Sequence, residues 1–314
     1  MPRRALPVTS AAPSTRALPG AAPAAGNLVL LEHVNLTQPD QALATLFYVV
    51  GLGLTRDPYL MVGLDNMWIN VGPATQLHLP TRAPQRLRGR MVLALPELDG
   101  VERSLAEVAE ALAGTAFSMA RVSADELQVS CPWGNRLVLQ ASRPGDAVRL
   151  GLTAVELDVP PGHAEGIARF YAQVIGAAAR CEAQAGGQGL NQAVVDTRRH
   201  QQLRFVETTA DLPGFDGHHL QVYLDDAAGA YARCRELGIV SRDRGPADWR
   251  FILIVDPDDG RLLYQLEHEV RDLQHPLYGR ALVNRNPAQR QASYQPGQDA
   301  WLDDGSPATA ATRG

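Results

Sequence analysis

Cysteine is scarce in this chain: Cys131, Cys181 and Cys234 stand far apart and none has CxxC spacing. A disulfide framework and a structural zinc site are thereby excluded, and a reducing, cytoplasmic setting is expected. No run of 18 apolar residues occurs, so no membrane span is expected. Positive charge is not in excess; the net charge is −5, and a nucleic-acid partner is not expected. No G-x-S-x-G elbow or Ser-His-Asp order appears. Gly186-Gly187-x-Gly189 is followed by neither a helix nor a P-loop lysine and reads as a flexible loop. Asp258-Asp259-Gly260 lacks the rest of a calcium loop.

What is present is the composition of an ordinary globular protein, 45% apolar and 20% charged. At 314 residues, two domains are the expectation. Residues 1–26 are rich in Ala and Pro, with Arg3, Arg4 and Arg16 and no acid. They read as a disordered tail, with a basic transit-type leader as the alternative. From His275 onward the chain is rich in Pro, Arg and Asn, and an extended arm with a disordered end is expected.

Between these ends a unit repeats. Leu30 to Gly53 reads as a strand, a turn at Pro39-Asp40 and a helix carrying Leu43, Leu46, Phe47 and Val50, stopped by Gly51 and Gly53. On the strand, Glu32, Val34 and Leu36 alternate with His33, Asn35 and Thr37; the first set should face the helix and the second a cavity. Residues 152–176 repeat the pattern, and further strand–helix units start at Gly89 and Gly217. Each unit continues into three more strands, giving β-α-β-β-β. The last strand comes after a turn such as Pro132-Trp133-Gly134-Asn135 or Asp256-Pro257-Asp258-Asp259-Gly260.

Four such units, the helix endings Phe47-Tyr48-x-Val50-Gly51 and Phe170-Tyr171-x-x-Val174-x-Gly176, and these turns together resemble the vicinal oxygen chelate superfamily. That superfamily contains glyoxalase I, extradiol dioxygenases and bleomycin-resistance proteins. The resemblance covers about residues 28–270. It implies an α+β fold of four β-α-β-β-β modules pairing into two half-open barrels. One-with-two and three-with-four pairing gives domains at 27–142 and 150–272, with 273–314 as the arm and tail. The family takes its metal ligands, His and Glu, from the first and last strands of the modules. Those positions are His33 and His78 in module one, Arg90 and Val138 in module two, Ala154 and Arg204 in module three, and His219 and Tyr264 in module four. Glu267 alternates away from Tyr264, and only a bulge after the Asp-rich turn brings it inward.

Two cavities result from these assignments. The first holds His33, Asn35, Gln76, His78 and Arg90; the second holds Glu156, Gln202, Arg204, His219, Gln221, Tyr223 and Tyr264. His33 and His78 can be metal ligands, acid/base groups or hydrogen-bonded interior side chains. His219 can act as acid or base, and Glu156 and Arg204 can pair. His218 is expected at the surface or in packing, and Glu267-His268-Glu269 as an exposed strand end. The function read from this pattern is a divergent member binding a small, anionic organic molecule at a degenerate metal site, anchored on Arg90. The alternative is a glyoxalase- or extradiol-dioxygenase-type enzyme using a divalent Fe, Mn, Zn or Ni ion. A small-molecule ligand is the expected partner, together with a possible homodimer contact and neither nucleic acid nor membrane.

Overall fold

The computed structural model describes residues 26–60, 65–186, 189–286, 289 and 291–301. Residues 1–25, part of the Gly186–Gly189 loop and the end beyond Trp301 lie outside the described residues.

All four β-α-β-β-β modules form. Module one contains β1 (Leu28–Asn35), α1 (Gln41–Ala44), β2 (Thr55–Arg56), β3 (Asn66–Val71) and β4 (Thr75–Pro80). Module two contains β5 (Gly89–Leu95), α2 (Leu98–Val108), β6 (Ser118–Ser123), β7 (Glu126–Ser130) and β8 (Arg136–Ala141). Module three contains β9 (Gly151–Val159), α3 (Ala164–Phe170), β10 (Ala178–Ala183), β11 (Asn191–Asp196) and β12 (Gln202–Glu207). Module four contains β13 (His219–Leu224), α4 (Ala227–Glu236), β14 (Val240–Asp243), β15 (Asp248–Val255) and β16 (Leu262–Asp272). Asp40 caps α1 by accepting from the N–H groups of Ala42 and Leu43. The helix then widens to π turns over Thr45–Gly51. The wider turns move Val50 off the apolar face, and it is exposed.

The modules pair differently from the expectation. One eight-stranded sheet runs β14-β15-β16-β13-β1-β4-β3-β2 and joins modules one and four. The other runs β10-β11-β12-β9-β5-β8-β7-β6 and joins two and three. Neither sheet is confined to 27–142 or to 150–272. In both, the first strands of two modules pair antiparallel at the centre, and each first strand is parallel to its own last strand. Every module presents the same first-strand edge, so the repeat itself does not say which partner takes it.

The main core lies on the helix-bearing side of both sheets. It contains Val34, Phe47, Met67, Leu105, Leu137, Phe170, Phe205 and Trp249. The opposite faces carry the polar side chains.

β1 departs from simple alternation. Its pairing with β13 shifts between Leu31 and His33, a β-bulge at Glu32. Leu31 stays in the core, while Glu32 turns to the same side as His33. This overturns the placing of Glu32 with Val34 and Leu36. The backbone of Leu31 is satisfied from the other sheet: its N–H donates to Gln201 Oε1 at 3.0 Å, and Gln201 Nε2 donates to the carbonyls of Leu31 at 2.7 Å and Leu152 at 3.0 Å. Gln201 is buried. Gln201→Leu should therefore strand three interior backbone groups and cost about 2–4 kcal/mol, read from urea unfolding. A loss below about 1 kcal/mol would mean that water replaces the amide there.

Candidate metal centre

Registry brings the polar side chains of four strands together on the first sheet. Val34 pairs with Leu220, so His33 lies across from Gln221 and Asn35 from His219. Parallel pairing sets Gln76 beside His33 and His78 beside Asn35. On the other side Glu267, Glu269 and Arg271 lie beside His219, Gln221 and Tyr223. The orientation of Glu267 is decided within β16: its pairing shifts between the Phe251–His268 and Leu253–Gln265 pairs, so a bulge re-aims the residues beyond Gln265. Glu267-His268-Glu269 is therefore no exposed strand end. Both carboxylates face His219, while buried His268 points into the core and accepts from the Tyr171 hydroxyl at 2.6 Å.

The three histidines on the polar face of the first sheet have different surroundings. His33 is buried and donates from Nδ1 to Glu32 Oε2 at 2.8 Å. Its Nε2 is buried with no hydrogen-bond partner among the described residues. A carboxylate on one nitrogen fixes the tautomer and leaves the other as a lone-pair donor. One ligand atom each from His33, His219 and Glu269 lies within 4.8 Å of the other two. His219 Nε2 is 3.5 Å from Glu269, and Nδ1 is 3.7 Å from Glu267. Burial first, and then the neighbouring His33 and Arg250, lower the His219 pKa to about 2, so its imidazole is neutral.

His78 is held otherwise. Trp68 stacks on it at 3.7 Å. Asn35 Nδ2 donates to Nδ1 at 2.6 Å, and Nε2 donates to Asn66 Oδ1 at 2.6 Å. Burial, reinforced by His33, takes its pKa down to about 3. With both nitrogens used, His78 is a neutral wall of the site. Of the two expected ligands, His33 stands in the cluster with His219 and Glu269, whereas both nitrogens of His78 are held by asparagines.

Glu269 is also gripped by two guanidiniums, Arg250 through Oε2 and Arg271 through Oε1. Arg250 reaches Glu267 as well, at 3.2 Å. Glu32, Glu267 and Glu269 set against Arg250 and Arg271 leave this face with one net negative charge when its histidines are neutral. The donor types and the charge fit a divalent cation, and the unpartnered Nε2 of His33 supplies a vacant donor.

The remaining expected residues divide between two sheets. Gln76 belongs to the first and donates to Asp57 at 3.0 Å and to Asn70 at 2.6 Å. Gln221 is buried beside Glu269, and Tyr223 packs under Tyr278. Arg90 is on the second sheet, away from His33 and His78, and its Nε donates to Glu156 at 2.5 Å. Arg204 donates to the same carboxylate at 3.1 Å and to Gln202 at 2.7 Å. Glu156 and Arg204 pair as expected, and Arg90 shares that one carboxylate, away from the histidines it was expected to accompany. The lining expected for the second cavity is divided between the sheets: Glu156, Gln202 and Arg204 line a cavity on the second, whereas His219, Gln221 and Tyr223 belong to the first. Tyr264 faces the core against Phe205, with Arg88 stacked 4.0 Å from its ring centre. His218 is fully buried, its Nδ1 bonded to Asp216. Where the central strands of the second sheet meet, Val92, Val138 and Ala154 form an apolar cluster in place of ligands.

Sequence reasoning missed Glu32, Glu269, Arg250 and Arg271. The period-two carboxylates Glu267 and Glu269 were the available signal; nothing in the sequence marks the bulge that turns Glu32 inward.

Comparison with protein-family models finds no match, and no curated protein matches the chain. Solved structures do. Glyoxalase I from Zea mays aligns with a TM-score of 0.55 at 14% identity, over 79% of this chain and 93% of that one. The "putative dioxygenase from Bacillus subtilis subsp. subtilis str. 168" aligns with a TM-score of 0.53 at 12% identity, over 82% of this chain and 91% of that one. The chain has the vicinal oxygen chelate fold.

Proposed function

We propose that this protein is a divalent-metal-dependent enzyme of the vicinal oxygen chelate type, with His33, His219 and Glu269 as its metal ligands and a small organic molecule as substrate. One observation carries the reading: His33 Nε2 is a buried, unpartnered donor whose tautomer is fixed by Glu32, and it stands with His219 and Glu269. Two imidazoles and one carboxylate, with no thiolate, are the donor set of non-haem iron oxygenases. A dioxygenase-type reaction is thus favoured over the glyoxalase type. This replaces the degenerate, Arg90-anchored binding site expected from sequence.

When bound, the cation supplies Lewis acidity to two neighbouring substrate oxygens. The chain's own groups do the rest. Glu32 aims His33. Arg250 and Arg271 orient Glu269 and offset part of the local negative charge. His78, held neutral between Asn35, Asn66 and Trp68, presents a fixed, uncharged wall to the substrate.

The test is anaerobic Fe(II) loading of chelator-treated protein, then oxygen uptake with catechol. Uptake that needs both iron and catechol supports the reading. Turnover of the methylglyoxal–glutathione hemithioacetal without oxygen uptake would assign the glyoxalase type instead. Glu32→Gln, which keeps the hydrogen bond but removes the charge behind His33, should weaken metal binding by about 10–100-fold in a competition titration. Unchanged affinity would detach Glu32 from the site.

A further inference from the structure

A second cavity, of about 470 Å³, lies between the start of β1, the 147–152 segment joining modules two and three, and arm residues 277–282. That volume suits a small organic molecule. Leu30, Leu150, Tyr223 and Tyr278 give it apolar walls. The arm is tied down across it: Tyr278 packs on Tyr223, Arg280 pairs with Asp57 at 2.8 Å, and Asn70 donates to the Val283 carbonyl at 2.8 Å.

Charge in this cavity is unbalanced. Arg149, Arg199 and Arg280 line it, against one acid, Glu32, which holds His33. Arg280 is matched by Asp57. Arg149 is not matched: its Nε and Nη1 are buried without hydrogen-bond partners, and among the described residues no carboxylate lies within 4.0 Å of it. The Arg149 side chain as a whole is part-buried, and idle donors on a guanidinium favour a ligand that fills them. The planar fork suits a carboxylate, and the apolar walls suit a hydrocarbon body.

We propose that this cavity binds an organic carboxylate, with Arg149 as the anchor for its acid group and the arm as its roof. Glu32 lines the cavity and also orients His33, so the bound molecule reaches the wall that the cavity shares with the candidate metal centre. The binding claim does not depend on the metal reading, because it is measured on metal-free protein.

The experiment is calorimetric titration of chelator-treated, full-length protein with acetate, phenylacetate and octanoate, and with uncharged 2-phenylethanol. Phenylacetate or octanoate should bind saturably and more tightly than acetate, and 2-phenylethanol should bind at least tenfold more weakly than phenylacetate. Arg149→Met should weaken carboxylate binding at least tenfold. Ala281→Phe, which fills the cavity from the arm and keeps Arg149, should also abolish binding and covers the case in which Arg149→Met fails to fold. No binding by any of the three acids, or equal binding to Arg149→Met, overturns the proposal.

Discussion

Replacing His33 by alanine should lower divalent-metal affinity by a factor of about 100 or more, because a tautomer-fixed donor is lost from a three-ligand site. The fold should survive. The substitution removes a buried ring whose only hydrogen bond among the described residues is to Glu32, and β1 keeps its pairing with β13 and β4. Competition with a chromogenic chelator gives the affinity, and thermal melting of the metal-free protein gives the control. His78→Ala, by contrast, should change metal affinity by less than about tenfold, since both its nitrogens already hold asparagines. Equal losses from the two substitutions would return His78 to the ligand set and break the assignment.

Glu269→Ala should be the most destabilising single change at the site. Its carboxylate is 8% exposed and binds both Arg250 and Arg271, themselves 18% and 13% exposed. Arg250 retains Glu267, but Arg271 keeps no carboxylate partner among the described residues. Breaking a buried pair from one side leaves an uncompensated charge and costs about 3–5 kcal/mol; the retained Glu267 contact points to the lower end. Glu269→Gln keeps an acceptor for one guanidinium and should lose about half as much stability, on the order of 1–2 kcal/mol, yet lose most metal affinity. Urea unfolding of the metal-free variants separates the two effects. A loss under about 1 kcal/mol for Glu269→Ala would mean that the two arginines swing out to water.

The fold was legible because it is written four times. Alternation on each first strand, the helix endings at Phe47-Tyr48 and Phe170-Tyr171 and the turn before each last strand all recur, and local periodicity is what a sequence shows well. The partnering of modules was not legible. It depends on which of four similar strand edges meet, and on tertiary ties such as Gln201 bridging β1 and β9.

The site was half legible for the same reason. His33, Asn35, Gln76, His78, His219 and Gln221 face one way because alternation is regular over these stretches of their strands. Strict alternation misplaces Glu32 and Glu267 because each sits at or just beyond a bulge, and one extra residue reverses every orientation after it. Consecutive pairing of modules puts Arg90 on the wrong sheet; once module two meets module three, Glu156 lies directly across from it.

The central claim is most directly tested by the metal content of protein purified without a histidine tag and loaded with Fe(II) or Mn(II) under anaerobic conditions. The first sheet holds His33, His219 and Glu269, while the second holds Val92, Val138 and Ala154 where its central strands meet. One equivalent of tightly held metal per chain is predicted, falling to none in His33→Ala. Zero equivalents in the wild-type protein, or one equivalent that survives His33→Ala, would contradict the account.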